Sequence, residues 1–136
     1  MAVLISQVRF LISQTDSLPQ HYFLHFPNLR PSIEQYTVVS SPWYGGKIIK
    51  KITGIKGDRL WFNKDNELFI NHIKVGKPFK TTFDGRALTA IQAQIIPEGY
   101  VFLSSHHPKS FDSRYQELGL IPVSELEGLV IPLGSS

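Results

Sequence analysis

Residues 59–75 read "RLWFNKDNELFINHIKV". Two runs of large apolar residues flank "NKDN", whose Asn and Asp side chains hydrogen-bond their own backbone and tolerate tight-turn conformations. Aromatic and branched residues suit a pleated, half-buried surface, so the stretch predicts a β-hairpin. The rest of the chain follows the same pattern. Nine prolines and ten glycines punctuate short runs rich in Ile, Val, Phe and Tyr, and helical periodicity is scarce. Strands are expected near 3–12, 21–26, 35–40, 46–55, 58–63, 67–73, 99–104 and 128–133. One helical turn is expected at 123–127, where "PVSELEG" offers Ser124 as a cap and Gly128 as a stop. Residues 77–100, "KPFKTTFDGRALTAIQAQIIPEGY", lack clean alternation and are expected to run off the core. The expectation is a mainly-β chain, one domain over 1–136, with an excursion or insertion around 59–96.

A chain of 136 residues can bury a real core without metal or disulfide staples. With 42% hydrophobic and 18% charged residues its composition is globular. The absence of cysteine excludes disulfides, thiolate zinc sites and cysteine nucleophiles, and leaves the compartment open. Fourteen basic residues against eleven acidic ones give a net charge of +3, dispersed apart from "KIIKK" at 47–51. A nucleic-acid footprint needs a denser basic stripe, so no nucleic-acid partner is expected. No window reaches the roughly 20 apolar residues that span a bilayer. "MAVLISQVRFLI" is interrupted by Gln7 and Arg9 and lacks the layout of a cleavable signal. An alternative reading has a membrane segment removed from in front of it.

Without cysteine, covalent catalysis falls to Ser, Thr or Lys. Residues 13–23, "SQTDSLPQHYF", place Ser17 in a proline-stiffened setting, and such a hydroxyl needs a base within about 3 Å. The five histidines (His21, His25, His72, His106 and His107) sit in no triad-type motif, and there is no G-x-S-x-G elbow. The order of residues alone leaves a Ser–His–Asp triad open. Adjacent His106 and His107 point opposite ways in extended chain and lack a spaced partner, so no metal and no cofactor are expected. A lysine is the second candidate base. In "KIIKKITGIKGD" (47–58), alternation puts Ile48, Lys50 and Ile52 on one face and Ile49, Lys51, Thr53 and Ile55 on the other. Either lysine among apolar neighbours would lose pKa and offer a free amine near neutral pH. The plainer reading is a lysine pair guarding an edge strand, with Gly54 and Gly57 allowing a turn before Asp58. In "SFDSRY" (110–115), Ser110, Asp112 and Arg114 share one side of an extended segment, where the carboxylate and guanidinium could brace a loop.

Taken together, these segments resemble the type I signal peptidase (leader peptidase) family of serine–lysine proteases, in its conjugative-transfer, pilin-processing branch. "TDSLP" (15–19) with Tyr22 is similar to that branch's T-x-S-x-P…Y nucleophile segment. "KKITGIKGD" (50–58) is similar to the K-R-x-x-G-x-x-G-D lysine box, and "SFDSRY" to the closing S-x-D-S-R-Y box. "IPEGYVFLSS" (96–105) resembles the P-x-G-x-x-F lead-in, and "IPVSELEGLVIPL" (121–133) the last strand. The resemblance implies an antiparallel signal-peptidase-like β-sheet. It implies Ser17 as nucleophile, Lys50 as general base, and the Ser17 N–H with the Thr15 hydroxyl as oxyanion hole. Ser110 would orient the Lys50 amine, while Asp112 and Arg114 would brace the loop.

Some positions depart from the pattern. Ser104, Ser105 and His106 stand where Gly-Asp-Asn is usual, so the acid expected opposite Lys51 is missing. Lys56 replaces a proline, Ser13 an asparagine, and Gln35-Tyr36 a Gly-Asp pair. The family also implies a precursor-protein substrate, bound as an added strand, with small residues at the first and third positions before the cut. It further implies an N-terminal anchor in the inner membrane, with the catalytic part facing the periplasm; this chain is expected to be the part without the anchor. The branch matures a pilin subunit, in some systems closing it into a ring. The rival readings are a self-cleaving repressor-type Ser–Lys protease, a non-catalytic binding module of a secretion or pilus assembly system, and a basic barrel that binds nucleic acid.

Overall fold

In the computed structural model the hairpin of 59–75 forms as β5 (Arg59–Phe62) and β6 (Leu68–Ile70), with Leu60 opposite Ile70 and Trp61 opposite Phe69. The structure describes residues 9–12, 22–105 and 107–133, and of 9–12 and 22 only the strand backbone. Asn63 closes the turn by accepting the N–H groups of Asp65 and Glu67 on its side-chain oxygen. The expected strand at 67–73 is in fact two. Asn71 adopts a left-handed φ of 54°, accepts the Arg59 N–H and donates to the Asp58 carboxylate, and β7 (Ile73–Gly76) folds back on β6. Asparagine is among the few side chains that take this conformation readily.

With β8 (Gln94–Ile95) these strands make a four-stranded antiparallel sheet in the order β7-β6-β5-β8. A second antiparallel sheet has seven strands: β1 (Arg9–Ile12), β2 (Tyr22–Phe26), β11 (Leu129–Pro132), β3 (Tyr36–Ser41), β4 (Gly46–Gly54), β9 (Tyr100–Ser104) and β10 (Ile121–Pro122), in that spatial order. The mainly-β, antiparallel expectation holds. The short β8 and β10 escaped the sequence because two residues carry no periodicity. Residues 77–93 carry only the isolated bridges Thr81 to Ala87 and Ala90 to Tyr115. Yet Ile91 and Ile96 are buried with Leu60, Leu68, Ile70 and Phe102, so this segment is anchored to the core rather than clear of it.

Strand β9 is buried on both sides. Val101 and Leu103 join Val39, Ile48, Ile52 and Ile121, whereas Phe102 points the other way into the small sheet's core. Gly54 does not serve a turn. It ends β4 at an irregularity in the pairing with β9, and a Cβ there would lie 2.8 Å from Ile96 Cδ1 and 2.9 Å from Phe102 Cβ. The helical turn is a single 3₁₀ turn, Val123–Glu125, which begins after Pro122 with no side-chain cap, so Ser124 lies inside it. Gly128 has a φ of 94°, and a Cβ there would sit 2.4 Å from the Phe26 carbonyl oxygen. Close approach of β2 excludes a side chain at that position.

Candidate active site

Strand β4 positions Lys50. The strand is interior, between β3 and β9, so the reading of Lys50 and Lys51 as edge guards fails. Its alternation is as the residue pattern requires: Ile48, Lys50 and Ile52 are buried, while Ile49, Lys51 and Thr53 are half-buried. Lys50 is 3% exposed in an apolar stripe. Loss of hydration lowers its pKa from 10.5 to about 8; the Asp112 carboxylate opposes that shift and the Arg114 guanidinium adds to it. Desolvation acts on the charged ammonium, whereas the neutral amine loses little by burial.

The loop after β9 supplies the second part. Asp112 and Arg114 are fully buried and form a two-pronged pair, both prongs at 2.8 Å. Arg114 also donates to the carbonyls of Ser105 and Pro108, and Asp112 accepts the N–H groups of Ser105 and Arg114. A buried ion pair holds its place when its remaining hydrogen-bonding groups are satisfied in this way. The pair thus ties Ser105, Pro108, Asp112 and Arg114 to one another. Ser113 fastens that loop to β9 by exchanging bonds with Leu103.

Lys50 and Ser110 line the same cleft, a cavity of about 840 Å³. The buried Ser110 hydroxyl is bonded to the Ser105 hydroxyl and not to the Lys50 amine. Ser17 and Thr15 lie outside the described residues, as do Ser13 and His106. Lys51 faces away from the cleft lysine and lies 5.8 Å from the centroid of the Tyr36 ring, its cross-strand partner. Two departures from the family pattern thus meet. Where an acid is lacking, the tyrosine at the altered Gln35-Tyr36 position supplies a cation–π contact. Ser104, opposite Lys51, turns its hydroxyl to Thr53 at 2.7 Å.

Residue-level reading missed the aromatic wall of the cleft. Trp43 stacks on Phe111 with centroids 4.4 Å apart, and Phe111 lies nearly parallel to Tyr115 at 6.2 Å. The rings were visible in "PWYGG" and "SFDSRY", but nothing in residue order says that the turn after β3 meets the loop after β9.

Fold and site together define an antiparallel β protein with a cleft-facing, desolvated lysine suited to accept a proton. Residues 8–133 match the family described as "Signal peptidase, peptidase S26", and the chain belongs to that peptidase family. It is 31% identical over 93 residues to the "Conjugal transfer protein TraF" of Agrobacterium fabrum (strain C58), a match covering 68% of this chain and 51% of that protein. The chain thus spans about half the length of the curated relative it matches. A signal peptidase I crystal structure from Enterococcus faecalis V583 is similar at a TM-score of 0.49 and 24% identity, covering 73% of this chain and 95% of that one.

Proposed function

We propose that this chain is the catalytic part of a serine endopeptidase of the conjugative-transfer branch, working through a Ser17–Lys50 dyad. Its substrate is an exported precursor protein, and the similarity to a conjugal transfer protein favours a pilin precursor, cut or closed into a ring. In this reading the Lys50 amine removes the Ser17 hydroxyl proton as the oxygen attacks the scissile carbonyl. The resulting ammonium protonates the leaving amine, and the freed lysine then activates water, or an incoming amine if the product is cyclised. Thr15 and the Ser17 N–H stabilise the oxyanion, a donor of this kind being worth about 10²–10³ in rate. Ser110 orients the Lys50 amine once the substrate is bound, and the Asp112–Arg114 pair holds the Ser110 loop in place. The domain works at the periplasmic face of the inner membrane.

The observation that carries the proposal is the burial of Lys50 in a cleft wall with its pKa lowered to about 8. Among the described residues no carboxylate forms an ion pair with Lys50, so an ammonium is costly there, and a base is a reason to keep it. The test is cleavage of a pilin precursor by wild type, Ser17→Ala and Lys50→Ala. Each substitution should lower the rate by about 10³-fold or more, since members of a catalytic unit fail together. Variants that both cut at the wild-type rate would remove the dyad.

A further inference from the structure

We propose that Ser105 is a positioning residue for the base: its hydroxyl holds that of Ser110 away from the Lys50 amine in the free protein and releases it when substrate binds. The proposal rests on the peptidase reading of Lys50 and adds a resting state to it. Strand pairing places Ser105. Ser104 lies opposite Lys51 and turns its hydroxyl to Thr53 on that side, so Ser105, the next residue, faces the side of Lys50. Its backbone is pinned at both ends, the N–H donating to the Asp112 carboxylate and the carbonyl accepting from Arg114, each at 3.4 Å. Ser110 has its own anchor, an N–H donated to the His107 carbonyl at 3.1 Å. The two buried hydroxyls meet at 2.5 Å, and among the described residues neither has another side-chain partner.

Where the Ser110 hydroxyl goes changes the chemistry of the amine. As an acceptor it would take an N–H of the Lys50 ammonium in a charge-assisted bond, stronger than a bond to the neutral amine, and so would keep the proton on the base. Bonded to Ser105, it gives the ammonium no such support, and burial is left to favour the free amine. The Ser105 bond joins two neutral groups, so it can be exchanged when the amine needs aiming. Asp112 and Arg114 act on Lys50 from the loop after β9; His107 and Lys109 line the cleft from the same loop, and Asp84 and Arg86 from the 77–90 segment. Serine-to-alanine changes leave these and every other charge as they are, so differences between such variants isolate the hydroxyl.

The experiment follows the Lys50 ¹³Cε resonance against pH in the full chain, as wild type, Ser105→Ala, Ser110→Ala and the double variant. Ser105→Ala frees Ser110 to support the ammonium and should raise the midpoint by about one unit. Ser110→Ala and the double variant should titrate with wild type, and so should Ser105→Thr, which keeps the hydroxyl. In cleavage of a pilin precursor, kcat/KM of Ser105→Ala should fall about tenfold at pH 7 and recover by pH 10. The kcat profile should stay in place, because kcat/KM reports the free protein and kcat the complex. An unchanged midpoint in Ser105→Ala overturns the proposal, as does a rise that persists in the double variant. Should Ser105→Ala fail to fold, Ser105→Cys, whose thiol bonds weakly, should give a smaller rise, and no rise again overturns it. The titration needs neither Ser17 nor turnover, so a failed dyad shows in the cleavage assay alone.

Discussion

Lys50 is where sequence, burial and chemistry meet in a single side chain. Its pKa of about 8 leaves about a tenth of the molecules with a free amine at pH 7 and most of them by pH 9. Cleavage should therefore rise through pH 8 and level off above it; a flat profile from pH 6 to pH 10 in folded protein would rule out a lysine base. The same shift governs stability. The unfolded chain holds this proton up to about pH 10.5 and the folded chain only to about pH 8, so the folded state is penalised below pH 8 and the penalty fades as pH rises to 10.5. Lys50→Met, which keeps the stem and removes the charge, should stabilise the protein at pH 7 by about 1–3 kcal/mol while abolishing cleavage. Urea midpoints at pH 7 and pH 10 would check it, the gain shrinking at the higher pH. The alternation in "KIIKKITG" already placed one lysine among isoleucines. Which lysine is buried depends on which face of β4 meets β9 and the loop behind it.

Two glycines matter among the elements for opposite reasons. At Gly54 the obstacle to a side chain is other side chains, those of Ile96 and Phe102. Ile96 Cδ1 is the end of a flexible side chain and can shift, but Phe102 Cβ moves only with the β9 backbone, so Gly54→Ala should cost about 3 kcal/mol, the upper end of the usual range for overpacking. At Gly128 the obstacle is the Phe26–Pro27 backbone and the φ is positive, so Gly128→Ala should cost more than Gly54→Ala. Thermal midpoints of the two variants rank them directly, and the reverse order would contradict the packing of β2 against the turn before β11. The loop after β9 has its own weak point. Arg114→Met would leave the Asp112 carboxylate buried without its counter-charge and should cost about 3–5 kcal/mol. Both glycines appear in the sequence as punctuation, which is why Gly54 reads as a turn. Its real constraint is a neighbouring strand about fifty residues away in the chain.

Taken whole, the molecule has two sheets whose cores meet at β9 and at the end of β4. Phe102 enters the small sheet's core from β9, while its neighbours Val101 and Leu103 serve the large one. Unfolding should therefore be a single event. Trp43 flanks the cleft and Trp61 lies in the small sheet, so single-tryptophan variants (Trp43→Phe and Trp61→Phe) report on the two regions. Their urea transitions should coincide, and Phe102→Ala should shift both together by about 3–5 kcal/mol. Separate transitions would show that the small sheet folds alone. No helix among the described residues is long and apolar enough to cross a membrane.

The sequence by itself determined the strands with clear alternation, the turns at Asn63 and Gly57, and the candidate lysines. Each of these follows from local rules: side chains alternate along a strand, and Asn and Gly take turn conformations at little cost. The extended segment expected at 110–114 is instead a bend and turn at 112–114, so the alternation read for Ser110, Asp112 and Arg114 does not apply. Only the tertiary structure decided that β4 is interior and not an edge, that Lys50 and not Lys51 is desolvated, and that Ser110 is bonded to Ser105. It also decided that Trp43, Phe111 and the 77–90 segment share one cleft. Burial and stacking depend on which distant segments come together, and no residue pattern encodes a neighbour's distance.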